Sequence, residues 1–272
     1  MTLLKNKIAL ITGASRGLGK EIARTFSAAG ASLFLVARNA TALQSVKASL
    51  AGPADSIAID LSAEGAPGKI VEACLAKCGG IDILVNNAGI VGPIGPLEQV
   101  SFAPWQSTFT VNLFAPARLC QLAAPIMRQR GGGKIINLSG GGATSPRPDF
   151  TAYGVSKCAL VRLTETLAIE LADANIDVNA VAPGAMNTDM ARQVIAAGPT
   201  ASRDFAAAVE RAGRDTTETI RNAADLVAFL ASPACDGITG RLISAVWDDW
   251  RKLPELRDEL VGSDRFTLRR LK

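Results

Sequence analysis

The chain of 272 residues carries a single tyrosine, Tyr153, and no histidine. Lys157 follows four positions later, the spacing that sets two side chains on one face of a helix. A lysine ammonium beside a phenol favours the ionised form and draws its pKa down from about 10, toward the range where a proton donor or acceptor works near neutrality. Without histidine the commonest general acid or base is unavailable, so Tyr153 is the leading candidate for proton transfer. A core tyrosine beside a surface lysine has the same spacing, so the pair gains meaning only from its surroundings. Ser139 ends the apolar run KIINLS at 134–139, and a hydroxyl at that strand end can hydrogen-bond a substrate carbonyl and steady charge on its oxygen. Asn112 lies in the apolar stretch VNLFAPA, and a buried amide must find partners. It is either a helix-to-strand tie or the holder of a water that feeds protons to Lys157.

These residues need elements to position them, and the chain reads as strands alternating with helices. KIALIT (7–12) is a short apolar run of the kind buried in a parallel sheet. It runs into GASRGLGKEIARTFSAAG, a glycine-rich turn followed by an amphipathic helix that ends at Gly30. Such a turn lets backbone approach a pyrophosphate at a helix N-terminus, where free N–H groups and the dipole favour anions. Gly13, Ser15, Arg16, Gly17, Leu18 and Gly19 are the candidate contacts.

The second strand, ASLFLVAR (31–38), ends at Arg38 where an adenosine ribose would lie. An acidic residue there suits the 2′-hydroxyl of NAD, whereas Arg38, with Arg16 nearby, suits a 2′-phosphate. The expected cofactor is therefore NADP(H) rather than NAD(H), although two solvated surface arginines would look alike in sequence. A helix near 39–50 leads to the strand DSIAID, whose end places Asp60 and Leu61 near an adenine. Another helix (about 64–78) precedes the strand IDILVNNAG (81–89), with Asn87, Ala88 and Gly89 on the side where ligands collect in open parallel sheets.

A helical region spans about 101–129, and the helix bearing Tyr153 and Lys157 continues through LVRLTETLAIELA. NIDVNAVA is the next strand. Beyond it, Pro183, Gly184, Met186 and Thr188 in PGAMNTDM form a turn able to touch the nicotinamide end. Residues 190–220 are polar, alanine-rich and weakly periodic, which reads as a mobile lid over the substrate. A helix (222–231) and the strand RLISAV (241–246) close the sheet.

Composition narrows the function classes. With 48% hydrophobic residues the chain can bury a large core, and no linker composition divides it. The start, MTLLKNKIALITG, lacks the parts of a signal peptide, and no apolar run approaches membrane length, so a soluble cytoplasmic protein is expected. The five cysteines are odd in number, scattered and without histidine partners, which suits reduced thiols and no metal site. A net charge of +4 without basic blocks gives no reason to expect nucleic acid as a partner.

TGASRGLG, Asp60, NNAG, Asn112, YGVSK and PGAMNTDM, in that order over roughly residues 5–246, resemble the short-chain dehydrogenases/reductases. The resemblance implies one Rossmann-type α/β domain with a doubly wound parallel sheet of about seven strands. It implies hydride transfer between a nicotinamide and a carbonyl or alcohol carbon, and a homo-oligomer, dimer or tetramer. By position Tyr153 would be the general acid/base, Lys157 would bind the nicotinamide ribose and lower the tyrosine pKa, Asn112 would complete a proton relay, and Ser139 would orient substrate.

Two features depart from that pattern. The family serine usually lies thirteen residues before the tyrosine; Gly140 stands there, and Ser139 lies fourteen before. The usual Asp-Gly-Gly ending is replaced by Trp247-Asp248-Asp249-Trp250 and a further 22 residues. This tail (247–272), with a short helical middle and a basic end, would pack on the domain or a neighbouring subunit, close a substrate pocket, or form a surface helix.

Three functions are compatible with these residues. An NADPH-dependent reductase, or a dehydrogenase running in reverse, uses all of them. A dinucleotide-binding sensor or scaffold would keep the fold without turnover, and the displaced serine leaves room for it. A sugar-nucleotide epimerase or dehydratase would need a longer chain. Arg147, Arg192 and Arg203 permit an anionic substrate, though solvated arginines are commoner.

Overall fold

The computed structural model describes residues 3–187 and 189–270. Seven parallel strands form one sheet in the order β3-β2-β1-β4-β5-β6-β7. They are β1 (Ile8–Thr12), β2 (Ser32–Ala37), β3 (Ala54–Ala58), β4 (Ile83–Asn86), β5 (Gly133–Leu138), β6 (Ile176–Ala182) and β7 (Leu242–Ser244). The fold is the Rossmann-type arrangement expected. Because strand side chains alternate faces, Ala9 and Ile11 of β1 join one core and Leu10 the other. β2 divides likewise, with Leu33 and Leu35 on one side and Phe34 on the other.

The first core is covered by α1 (Gly17–Ala28), α2 (Ala40–Ala48) and α9 (Thr217–Leu230). The second is covered by α3 (Ala66–Cys78), α5 (Ala115–Gln129) and α6 (Thr151–Glu170). The order of strands reverses between β1 and β4, which opens a crevice beyond their C-terminal ends.

Three regions differ from their sequence reading. The helix expected over 101–129 is α4 (Phe102–Phe109), a π turn over Thr110–Phe114, and α5. The π turn holds Asn112, fully buried, and such widened turns occur frequently at functional sites. Residues 190–220 hold α7 (Asp189–Ala197), which starts one residue earlier, α8 (Phe205–Ala212) and the first turn of α9, which begins at Thr217 rather than 222; α7 and α8 are amphipathic but short. Their buried Val194 and Ala208 pack with Val91, Phe150 and Tyr153, so the periodicity that looked weak spans one small satellite core. β7 stops at Ser244, two residues short of the expected 246.

The tail folds back on its own domain. Trp250, Leu253 and Leu260, the last in α10 (Arg257–Leu260), are buried in the first core, each worth about 1.5–3 kcal/mol. Arg241 reaches carbonyls of Leu260, Ser263 and Arg265, and the Leu242 N–H donates to the Phe266 carbonyl at 2.8 Å, so the tail covers the outer edge of β7. Among the described residues no helix is long and apolar enough to cross a membrane.

Candidate active site

The glycine turn after β1 is shaped by what it excludes. Gly13 and Gly17 have positive φ, +68° and +53°, where glycine is at ease. A Cβ on Gly19 would lie 2.2 Å from the Gly13 carbonyl oxygen and 2.4 Å from Asn87 Nδ2. Asn87 stitches the turn to β4: its Nδ2 donates to the Thr12 carbonyl at 2.9 Å, and its N–H donates to the Thr12 hydroxyl at 3.0 Å. The first turn of α1 carries no acidic residue, so its N-terminus keeps its pull on an anion.

The turn opens on a cavity of about 1340 Å³ that runs along the C-terminal ends of the strands. Every candidate cofactor residue named from sequence borders it except Thr188, which lies outside the described residues. At one end are Arg38, Asp60 and Asn39, whose side chain caps α2 by accepting from the Ala42 N–H at 2.9 Å. Asp60 accepts from the Ser62 N–H and hydroxyl; with Arg38 3.7 Å away, these hold its carboxyl below the usual range. Arg16 is paired with Asp189 of α7, which also pairs with Arg192.

At the other end stand Tyr153 and Lys157, buried at 6% and 3% exposure. Lys157 Nζ lies 5.9 Å from the Tyr153 ring centroid and donates to the Leu138 carbonyl at 2.7 Å. Burial drives the lysine pKa down to about 8 and the tyrosine pKa up, with the Arg147 charge pulling the tyrosine the other way. The expectation of a phenol lowered by Lys157 is thus corrected for the protein alone: desolvation dominates, and Tyr153 keeps its proton at neutral pH.

Asn112 does not border the cavity. Its Oδ1 accepts from the Ile90 N–H and its Nδ2 donates to the Ile90 carbonyl, both at 2.9 Å, and to Ser156 Oγ at 3.1 Å. It ties the π turn to the loop after β4 and to α6. Gly89 sits between it and the lysine: a Cβ there would be 3.3 Å from Asn112 Oδ1 and 3.4 Å from Lys157 Nζ.

Ser139 borders the cavity, yet its Oγ is buried without a hydrogen-bond partner among the described residues. Gly140 abuts the phenol, since a Cβ there would stand 2.3 Å from the Tyr153 hydroxyl. A side chain at position 140 is incompatible with this tyrosine placement.

Gly184, at φ +89°, brings Pro183 and Met186 to the cavity wall. Arg147 and Arg192 border the cavity, whereas Arg203 is not on its wall and its side chain is 80% exposed. Sequence reasoning missed Ser156, Asp189 and Asp204, along with Phe266 and Thr267 of the tail, all but Ser156 on the cavity wall. Only the i+3 spacing of Ser156 from Tyr153 could have flagged any of them.

The chemistry of this donor set fits a dinucleotide: a glycine turn at a helix N-terminus, cations at one end of the cavity, and a phenol and ammonium at the other. Residues 7–198 match the family model for short chain dehydrogenases. The chain is 36% identical over 244 residues to 7alpha-hydroxysteroid dehydrogenase of Escherichia coli (strain K12), covering 89% of this chain and 93% of that protein. It is 34% identical to dehydrogenase/reductase SDR family member 4 of Homo sapiens, over 88% of this chain and 86% of that one.

Among solved structures, 7 alpha-hydroxysteroid dehydrogenase complexed with NADH and 7-oxo glycochenodeoxycholic acid superposes with a TM-score of 0.76 at 32% identity, over 89% and 94% of the two chains. A candidate NAD(P)-dependent gluconate 5-dehydrogenase from Beutenbergia cavernae, with NADP bound at low occupancy, gives 0.79 at 31% identity, over 90% and 96%. The chain belongs to the short-chain dehydrogenase/reductase family: an oxidoreductase that uses a dinucleotide cofactor and acts on carbonyl or alcohol groups.

Proposed function

We propose that the protein is an NADP(H)-dependent reductase of ketones or aldehydes, working as an alcohol dehydrogenase in reverse, with Tyr153 as general acid/base. The observation that carries this reading is the buried phenol beside Lys157, its pKa raised by burial, at one end of a cavity whose other end is the glycine turn. A bound nicotinamide supplies the hydride. Tyr153 gives its hydroxyl proton to the carbonyl oxygen, a contribution of about 10²–10⁴-fold. Lys157, pushed to about 8, takes and returns a proton near neutrality and holds the nicotinamide ribose. Asn112 keeps the loop at Ile90 and the helix at Ser156 in register, which fixes the wall that the lysine faces. Ser139 has an unused hydroxyl immediately before Gly140 and Gly141, and it orients the substrate oxygen.

Arg38 and Arg16 favour a 2′-phosphate, supported by the N-terminus of α2 behind Asn39. Leu61, Ala88, Gly89, Pro183, Gly184 and Met186 complete the cofactor contacts. Residues 1–246 form one catalytic domain with a lid over 190–220, and 247–272 is an appended tail. Five free cysteines suit a reducing cytoplasm. An aromatic stripe of Phe102, Trp105, Phe109 and Phe114, the first three stacked and its two end rings 62% and 59% exposed, supports a dimer or tetramer.

The test is NADPH oxidation over a panel of ketones and aldehydes, with Tyr153→Phe as control. A fall of at least about 10²-fold in kcat is expected. Wild-type turnover by Tyr153→Phe would sink the general-acid role, and tight NADPH binding without turnover on any carbonyl would favour a sensor or scaffold.

A further inference from the structure

Two consecutive lid residues answer two residues of the loop before α6 with opposite charge. Arg147 Nε donates to Asp204 Oδ2 at 2.8 Å, and the Asp149 carboxylate accepts from the Arg203 N–H at 3.0 Å. Asp149 has a φ of +69°, an uncommon conformation for a residue with a side chain, and its carbonyl accepts from Gly95 N–H at 2.9 Å. The loop is therefore clipped to the lid at two points and held below by the segment after β4.

The clip fixes where the Arg147 guanidinium sits. Its carbon is 3.8 Å from the centroid of the fully buried Phe150 ring and 5.7 Å from that of Tyr153. Lys157 Nζ is at 5.9 Å, so two cations face the phenol at nearly the same range. They differ in permanence: the lysine loses its charge near its pKa of about 8, whereas a guanidinium keeps its charge throughout the alkaline range.

The other charged groups lining the cavity at the lid are Asp204, Asp189, Arg192 and Arg211. Of these, Asp189 is occupied by Arg16 and Arg192. The loop after β4 and the π turn bring Asn87, Ile90 and Val111, and the loop after β5 brings Ser139, Thr144 and Ser145, all without charge.

We propose that Arg147 is a positioning residue for the reaction: clipped to the lid by Asp204, it sets the electrical environment of the Tyr153 phenol, so that lid seating and proton transfer are coupled. The proposal rests on the reading of Tyr153 as general acid/base. It adds a second, pH-independent cation to that role and makes Asp204 its regulator. When the lid is seated, Asp204 partly cancels the guanidinium; when it lifts, the full charge acts on the ring and favours ionisation.

Because Tyr153 is the sole tyrosine, its ionisation can be followed by phenolate absorbance without turnover, against a Tyr153→Phe blank. Arg147→Gln should raise the midpoint by about 0.5–1 pH unit, the size of a screened Coulomb interaction at this separation. A merely structural role predicts the reverse, since a loosened loop admits water and lets the burial-raised midpoint fall. An unchanged or lowered midpoint in Arg147→Gln overturns the proposal.

Asp204→Asn should lower the midpoint, because it removes the carboxylate that offsets the guanidinium. An unchanged or raised midpoint in Asp204→Asn overturns the proposal even if Arg147→Gln does not fold. The two readings fail separately: wild-type turnover by Tyr153→Phe removes the general-acid role, whereas an unmoved titration in an enzyme that still needs Tyr153 removes only the role of Arg147.

Discussion

The glycine turn at one end of the cavity is shaped by backbone, the Tyr153 end by side chains. At the first, Gly13, Gly17 and Gly19 contribute by having no Cβ, and Asn87 fastens the turn to the neighbouring strand within a few residues of sheet. At the second, α6, the π turn, the loop before α6 and the lid each deliver one or two groups from segments up to about 90 residues apart in the chain (Asn112 to Asp204). The first needs only space and free N–H groups. The second must remove Tyr153 and Lys157 from water, and their proton affinities follow from that burial. The glycine turn is thus encoded locally and the surroundings of Tyr153 globally.

The sharpest way to break this contrast is Lys157→Met. Turnover should fall by about 10²–10⁴-fold, while the fold gains about 1–3 kcal/mol at pH 7, because a buried lysine that protonates costs stability. The sign follows from a folded pKa of about 8 below an unfolded one near 10.5: the penalty grows as pH falls from 10.5 to 8 and is full below that. Urea melts at pH 7 and pH 10.5 check it. The gain should be confined to the lower pH, and a destabilised variant at both would show that the lysine packs rather than strains.

Next in size, Gly19→Ala should weaken NADPH binding at least about tenfold and cost about 1–3 kcal/mol, since its Cβ would meet backbone at 2.2 Å. Cofactor fluorescence titration reads the first and thermal melting the second; wild-type affinity would mean the turn has slack that the structure does not show.

Ser139→Ala is expected to lower kcat by about an order of magnitude. Equal turnover would assign the substrate oxygen to another donor, with Thr144 and Ser145 on the same wall as the next to test. The smallest effect is at the ribose end: Arg38→Asp should shift the kcat/KM ratio from NADPH toward NADH by about tenfold. An unmoved ratio would show that Arg38, already 3.7 Å from Asp60, does not read the 2′ position.

The sheet was legible because parallel strands buried on both faces write themselves as apolar runs such as IALIT and SLFLVA. The glycine turn was legible for a related reason, as its residues lie between one strand and the next helix. α7 and α8 were not: each buries only a narrow stripe against Phe150 and Tyr153, and a partner that distant leaves little trace in local periodicity. The π turn was hidden too, because one residue of extra winding changes no apolar pattern, and only the misplaced polarity of Asn112 hinted at it. The direction in which Tyr153 shifts was misjudged from spacing alone. An i+4 lysine promises charge, but the degree of burial decides whether charge or desolvation wins.

Sequence by itself determined the alternation of apolar strands with helices, the glycine turn and the pairing of Tyr153 with Lys157 on one helix face, since each is fixed by neighbours close along the chain. Tertiary structure alone decided that Gly140 rather than a side chain meets the phenol, that Asn112 answers Ile90 and Ser156, and that the lid's Asp204 holds Arg147 over the ring. Those contacts join segments far apart in the chain, and their strength depends on how completely the fold excludes water between them.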